Sequence, residues 1–167
     1  MFSVGDFVVH RNSGICKVKE IAPLAIADSS QDQLYYYLVP VNERGSEIFS
    51  PAGEDNGQLR KVLTEKEAEE LLAEIPALQD ERFDDDKSRE AHYKEALRSC
   101  DCRELVKMIK TLCARKKERM LQGKKTTSSE ERYYRQASDN LCNELAFALN
   151  RRREDMESVL LQIEELS

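Results

Sequence analysis

The sequence predicts an α+β protein: a small five-stranded antiparallel β-barrel over residues 1–63, a helix and acidic linker over 64–86, and a compact all-α bundle over 87–167. Three observations carry this reading. Short β-rich runs broken by turn residues fill the first sixty-odd positions. From Thr64 onward, apolar residues recur at helical spacing behind capping residues. The charge also changes sign along the chain. Residues 1–86 hold 8 Lys and Arg against 18 Asp and Glu, and residues 87–167 hold 18 against 14, so a net −6 divides into −10 and +4.

The β elements follow in order. Phe7-Val8-Val9 precedes a turn at Asn12-Ser13-Gly14, and Ile15 to Ile21 alternates Cys16 and Val18 against Lys17 and Lys19, the pattern of a half-buried strand. Leu34 to Val41 is apolar at both parities and predicts a strand covered on both faces. Asn42-Glu43-Arg44-Gly45 turns the chain, Ser46 to Ser50 returns, and Leu59 to Leu63 supplies a fifth strand. Five short strands in this length favour closure, which hides strand edges.

Thr64 with Glu67 predicts a capping box, followed by Ala68, Leu71, Leu72 and Ile75 on one face until Pro76 stops the helix. Asp80 to Asp86 reads as an acidic linker. Ser88 to Ser99 is a short helix. Asp101 with Glu104, and Ser128 with Glu131, predict two more capping boxes that open longer helices, with Gly123 to Thr127 as a basic loop between them. Met156, Val159, Leu160 and Ile163 mark a last helix.

Composition narrows the function. No apolar run approaches the roughly eighteen residues that cross a bilayer, and Met1 to Arg11 has no signal-peptide pattern, so the expectation is a cytoplasmic protein without a membrane partner. Five cysteines, an odd number without framework spacing, read as reduced and mostly buried thiols. Cys100-Asp101-Cys102 falls short of a zinc site, and neither His10 nor His92 sits at a matching spacing, so no metal and no cofactor are expected. No phosphate loop or nucleophile elbow is present, so no catalytic residue and no small-molecule substrate are expected. An enzyme reading would revive only if a pocket gathered His92 with cysteines or carboxylates.

The basic residues of the second half gather. Arg89, Lys94 and Arg98 ride on one short helix, Arg115, Lys116, Lys117 and Arg119 close the next, and Lys124-Lys125 follow in the loop. Cations at a helix C-terminus are partly explained by the helix dipole. A net positive domain beside an acidic one points further, to phosphate contacts that position a protein on nucleic acid.

The order of features resembles the CarD/CdnL family of bacterial RNA-polymerase-binding transcription regulators. Val4 to His10 with Gly14-Ile15, Tyr36 to Pro40, Ile48 to Pro51 and Leu59 to Val62 stand in the family's order. Tyr93-Lys94, the Asp101-led helix, Glu118-Arg119, Ser128 to Arg132 and Glu144 to Ala146 continue it. The resemblance implies a Tudor-like or SH3-like barrel that docks by a strand edge on the polymerase β subunit, with Leu24, Ile26 and Phe49 at the contact positions. It also implies a helical domain, associated with the nucleoid, that meets promoter DNA at the upstream edge of the bubble. Arg89, Lys94, Arg98, Lys124 and Lys125 would face its phosphate backbone and minor groove. Relatives carry a tryptophan wedge near the start of that domain. This chain has none, and Arg89 takes the matching place. An arginine enters a narrow minor groove electrostatically but does not wedge bases apart. Leu24 and Phe49 stand where relatives can carry arginines, which shifts docking toward apolar contact. The alternative is an adaptor whose helical domain binds another protein rather than DNA.

Overall fold

The computed structural model describes residues 1–25, 33–53 and 57–167, and they divide into two units, Met1–Val62 and Leu63–Ser167. In the first, five antiparallel strands form one sheet: β1 (Phe7–His10), β2 (Gly14–Pro23), β3 (Leu34–Pro40), β4 (Ile48–Pro51) and β5 (Leu59–Lys61). Their order is β4-β3-β2-β1-β5, so β4 and β5 are the two ends. Among the described residues no ladder joins those ends, but Ser50 Oγ donates to Gln58 Oε1 at 3.3 Å across the gap. The Gly14 turn needs a positive φ of 69°, which glycine adopts without a Cβ clash.

Strand parity decides the core. Val8, Cys16, Val18, Tyr36 and Leu38 point inward and pack together, with Ile48 and Leu59 against them. Tyr35, Tyr37 and Val39, the other parity of β3, remain only half-buried. The expectation that β3 is covered on both faces is therefore corrected: its second face is a tyrosine-rich surface. A register shift between Val18 and Glu20 bends β2 against β3.

The second unit holds α1 (Glu65–Glu74), α2 (Asp86–Ser99), α3 (Cys102–Leu121), α4 (Ser128–Ala148), a 3₁₀ turn (Arg153–Met156) and α5 (Glu157–Glu165). Thr64 and Glu67 form the expected capping box. The box before α4 falls one residue earlier than the sequence suggests, on Thr127 and Glu130. Asp101 caps α3 by accepting from the Arg103 amide, without the reciprocal bond from Glu104. Cys100, with φ 53°, closes α2 in the left-handed region and lets α3 begin at once.

Helix α1, expected between the two domains, contributes Ala68, Leu71 and Ile75 to the core that α2 to α5 build. Buried polar groups fasten it at both ends. The Leu63 amide donates to Glu144 Oε1 at 3.1 Å, and Cys102 Sγ donates to Glu144 Oε2 at 3.1 Å. At the other end the Lys110 ammonium donates to the carbonyls of Ile75 and Leu78. A cation is favoured there because the last carbonyls of a helix lack partners. Arg103 adds a bidentate contact to Glu74, at 2.7 and 2.9 Å.

Glu144→Ala would leave the Leu63 amide and the Cys102 thiol without their shared acceptor. Stability should fall by about 1–3 kcal/mol, read as a lower urea midpoint at constant m. Leu121→Ala, at a side chain 90% exposed, should stay within about 0.5 kcal/mol. Equal midpoints for the two variants would refute the anchoring role.

Candidate protein and nucleic-acid interface

On the sheet, β4 pairs with β3 along one side, Phe49 opposite Tyr37 and Ser50 opposite Tyr36. No strand pairs with its other side among the described residues. Ser50 points inward and is fully buried, while Phe49 points outward and is 45% exposed. The Phe49 ring meets Tyr37 edge-on, 4.9 Å between centroids. The Tyr37 hydroxyl in turn donates to the Pro23 carbonyl at 3.0 Å. Leu24, half-buried, follows Pro23 directly. Tyr37 thus touches Phe49 with its ring and, through its hydroxyl, the backbone just before Leu24. Ile26 lies outside the described residues. Tyr37 escaped the sequence reading, although its parity, shared with Tyr35 and Val39 and opposite to Leu38, was there to be read.

The five expected DNA-facing cations separate into two groups. Three lie on α2 and are already engaged. Arg89 shares the inner stripe of the helix with Tyr93 and Ala96; its side chain is 15% exposed and Nη1 lies 2.6 Å from Asp86. The Asp86 carboxyl is held below the usual range chiefly by that hydrogen bond. Lys94 pairs with Glu90 at 3.1 Å and Arg98 with Glu95 at 2.8 Å. Lys124 and Lys125, by contrast, are exposed on the α3–α4 loop. That loop is held by the Arg119 guanidinium, which donates to the Lys125 carbonyl at 2.9 Å.

Arg115 shows why these groups share an end of the unit. It pairs with Glu130 in the first turn of α4 and approaches Asp86 at the start of α2, at 3.8 Å. The beginning of α2, the end of α3 and the beginning of α4 therefore meet, with Arg89 inside that junction and Lys124-Lys125 on the loop beside it. Met120 and Leu121 sit exposed at the same end. Lys94 and Arg98 run away from it along α2.

The charge division also moves. At the structural boundary, Met1–Val62 carries 6 Lys and Arg against 8 Asp and Glu, and Leu63–Ser167 carries 20 against 24. The helical unit is therefore net −4, because α1 and the acidic stretch after it belong to it. Its positive character is confined to patches.

A cavity of about 510 Å³ opens between α3, α4 and α5, lined in part by Cys113, Lys116, Tyr134, Arg135 and Arg153. Burial pushes the Cys113 thiol up to about 11, so it stays protonated near neutral pH and is a poor nucleophile. Tyr134 is also held protonated by burial and donates to Glu164 Oε1 at 3.0 Å. Elsewhere in the unit, Glu81, His92 and Glu104 bring their donor atoms within 4.8 Å of one another.

An antiparallel sheet with its own core, followed by a separately cored helical unit, defines a two-module protein. Residues 2–63 match the CarD-like/TRCF RID domain, and residues 70–161, more than half of the chain, match the CarD C-terminal domain. The chain belongs to the CarD-like family of RNA-polymerase-interacting transcription regulators. No curated protein matches it. No described helix is long and apolar enough to cross a membrane.

Arg115→Met should leave the Glu130 carboxylate, nearly buried, without its cation. A loss of about 1–3 kcal/mol is expected in chemical denaturation. Lys124→Glu with Lys125→Glu should change the midpoint by no more than about 0.5 kcal/mol. The reverse ranking would contradict this sorting of structural from available cations.

Proposed function

We propose that this protein is a non-enzymatic regulator that holds the RNA polymerase β subunit through the β4 margin and leans the basic loop of its helical unit on promoter DNA at the upstream edge of the bubble. The observation that carries the reading is the Phe49–Tyr37 ring pair, with Tyr37 also bonded to the backbone before Leu24, on the end strand β4, whose other side meets no strand among the described residues. A strand margin offers amides and carbonyls to a partner strand, and the alternate side chains set specificity. With leucine and phenylalanine at the contact positions, the docking is chiefly apolar, with Tyr37 as its rigid centre.

Family membership and the loop geometry support the DNA half. Lys124 and Lys125 are the cations best placed for phosphate, while Arg89 is spent inside the Arg115–Glu130–Asp86 junction. Arg89 therefore serves the fold first and reaches a groove only if Asp86 releases it. A ligand that holds polymerase and the melted promoter together shifts the equilibrium toward the melted state by its differential affinity alone. The protein acts in the cytoplasm at the nucleoid on this reading.

A second reading is favoured by one observation: the helical unit is net acidic and most of its α2 cations are paired. In that reading the unit binds another protein, and DNA plays no part.

Phe49→Asp should weaken binding to the isolated β subunit by at least about tenfold, as loss of a central aromatic anchor does; unchanged affinity would remove the docking surface. Reversing Lys124 and Lys125 should shorten the open-complex half-life on a promoter. Rising salt should weaken promoter association steeply, since each phosphate contact releases a counterion. A half-life indifferent to both would transfer the helical unit to the protein-binding reading.

A further inference from the structure

The group Glu81, His92 and Glu104 belongs to neither proposed interface, and three separate elements deliver it. Glu81 lies on the stretch after α1, where its amide donates to Thr111 Oγ1 at 2.9 Å and so fixes the local chain. His92 is on α2, its ring 5.0 Å from that of Phe83, and Glu104 stands in the first turn of α3. The three side chains are 36%, 24% and 33% exposed, open enough to admit an ion yet held by packing.

Three observations point to a cation. His92 Nε2 is inaccessible to solvent and makes no aligned hydrogen bond, although Glu81 Oε2 lies 3.0 Å away. Unprotonated, a ring nitrogen so placed beside two carboxylates can give its lone pair to a cation. The donor atoms are all within 4.8 Å of one another, and modest rotation of two half-exposed carboxylates brings them to the spacing of ligands on one ion, each about 2.0–2.2 Å from it. The place also already attracts positive charge. Lys107 Nζ sits 2.9 Å from Glu104.

We propose that Glu81, His92 and Glu104 form a binding site for a borderline divalent cation of the Zn²⁺ class, with water completing the coordination. One imidazole with two carboxylates suits such an ion better than Mg²⁺ or Ca²⁺, which take all-oxygen sites. Lys107 and the ion compete for the same carboxylates. Lys107 is partly exposed and can swing into water when the ion enters. Occupancy ties the stretch after α1 to α2 and α3, and so stiffens the helical unit. This site is independent of polymerase and DNA binding, and its test is separate from theirs.

Titration of the full chain with Zn²⁺ by calorimetry should show one site. His92→Gln and, separately, Glu104→Gln should weaken it by about 10- to 100-fold, the scale on which losing even a supporting partner is felt. Zn²⁺ should raise the thermal midpoint of the parent and not of His92→Gln, and Lys107→Met should tighten binding several-fold. A Co²⁺ complex should show no thiolate-to-metal charge transfer. Absence of binding, binding that survives His92→Gln, binding indifferent to Lys107→Met, or a thiolate band that assigns the ion to a cysteine would each overturn the proposal.

Discussion

The organisation of the helical unit depends on how α1 is held. A helix of ten residues with two fully buried apolar side chains, Ala68 and Leu71, is too short to be stable by itself. Glu144 receives the amide of Leu63 just before it, and Lys110 fills the carbonyls just after it. Buried charges are costly unless hydrogen-bonded, so each is kept only because it meets backbone groups that would otherwise be orphaned. Burial lowers the Lys110 pKa, the mark of that cost. The two contacts reach 81 and 35 positions along the chain, and neither is visible to local pattern.

That fastening has an electrostatic consequence. By keeping α1 and the acidic stretch after it within the helical unit, it turns a nominally basic half into a net acidic body with basic patches. Most cations on α2 answer carboxylates three or four residues away, the spacing at which helix neighbours meet. Exposed pairs of this kind contribute little to stability. They do decide which cations are left to meet a partner, and the exposed Lys124 and Lys125 of the α3–α4 loop are among those that remain.

The sheet was legible in the sequence to a greater depth. Alternation in β2, the Gly14 turn and the β-rich run of β3 are local signals, and each strand formed where those signals put it. The β3 run misled only about its second face. Apolar tyrosines at both parities look alike in sequence, yet Tyr36 enters the core and Tyr37 does not, because the sheet has one buried side. The same limit applied to the contact positions. Leu24 and Phe49 could be named from family resemblance, but only pairing of β4 with β3 set Tyr37 against Phe49. His92 and its carboxylates were invisible for a similar reason: they lie 11 and 12 positions apart on elements that only packing brings together.

By itself the sequence determined the kind of each element, the change from β to α near residue 63, the N-caps of α1, α3 and α4 to within one position, and the family. These rest on short-range physics: alternation, helical spacing and the capping of free amides. Tertiary structure alone decided which unit owns α1, which face of β3 stays open, which cations are paired and which donors converge. Those outcomes depend on groups far apart in the chain meeting under burial, where one buried carboxylate or ammonium can settle the allegiance of a whole helix.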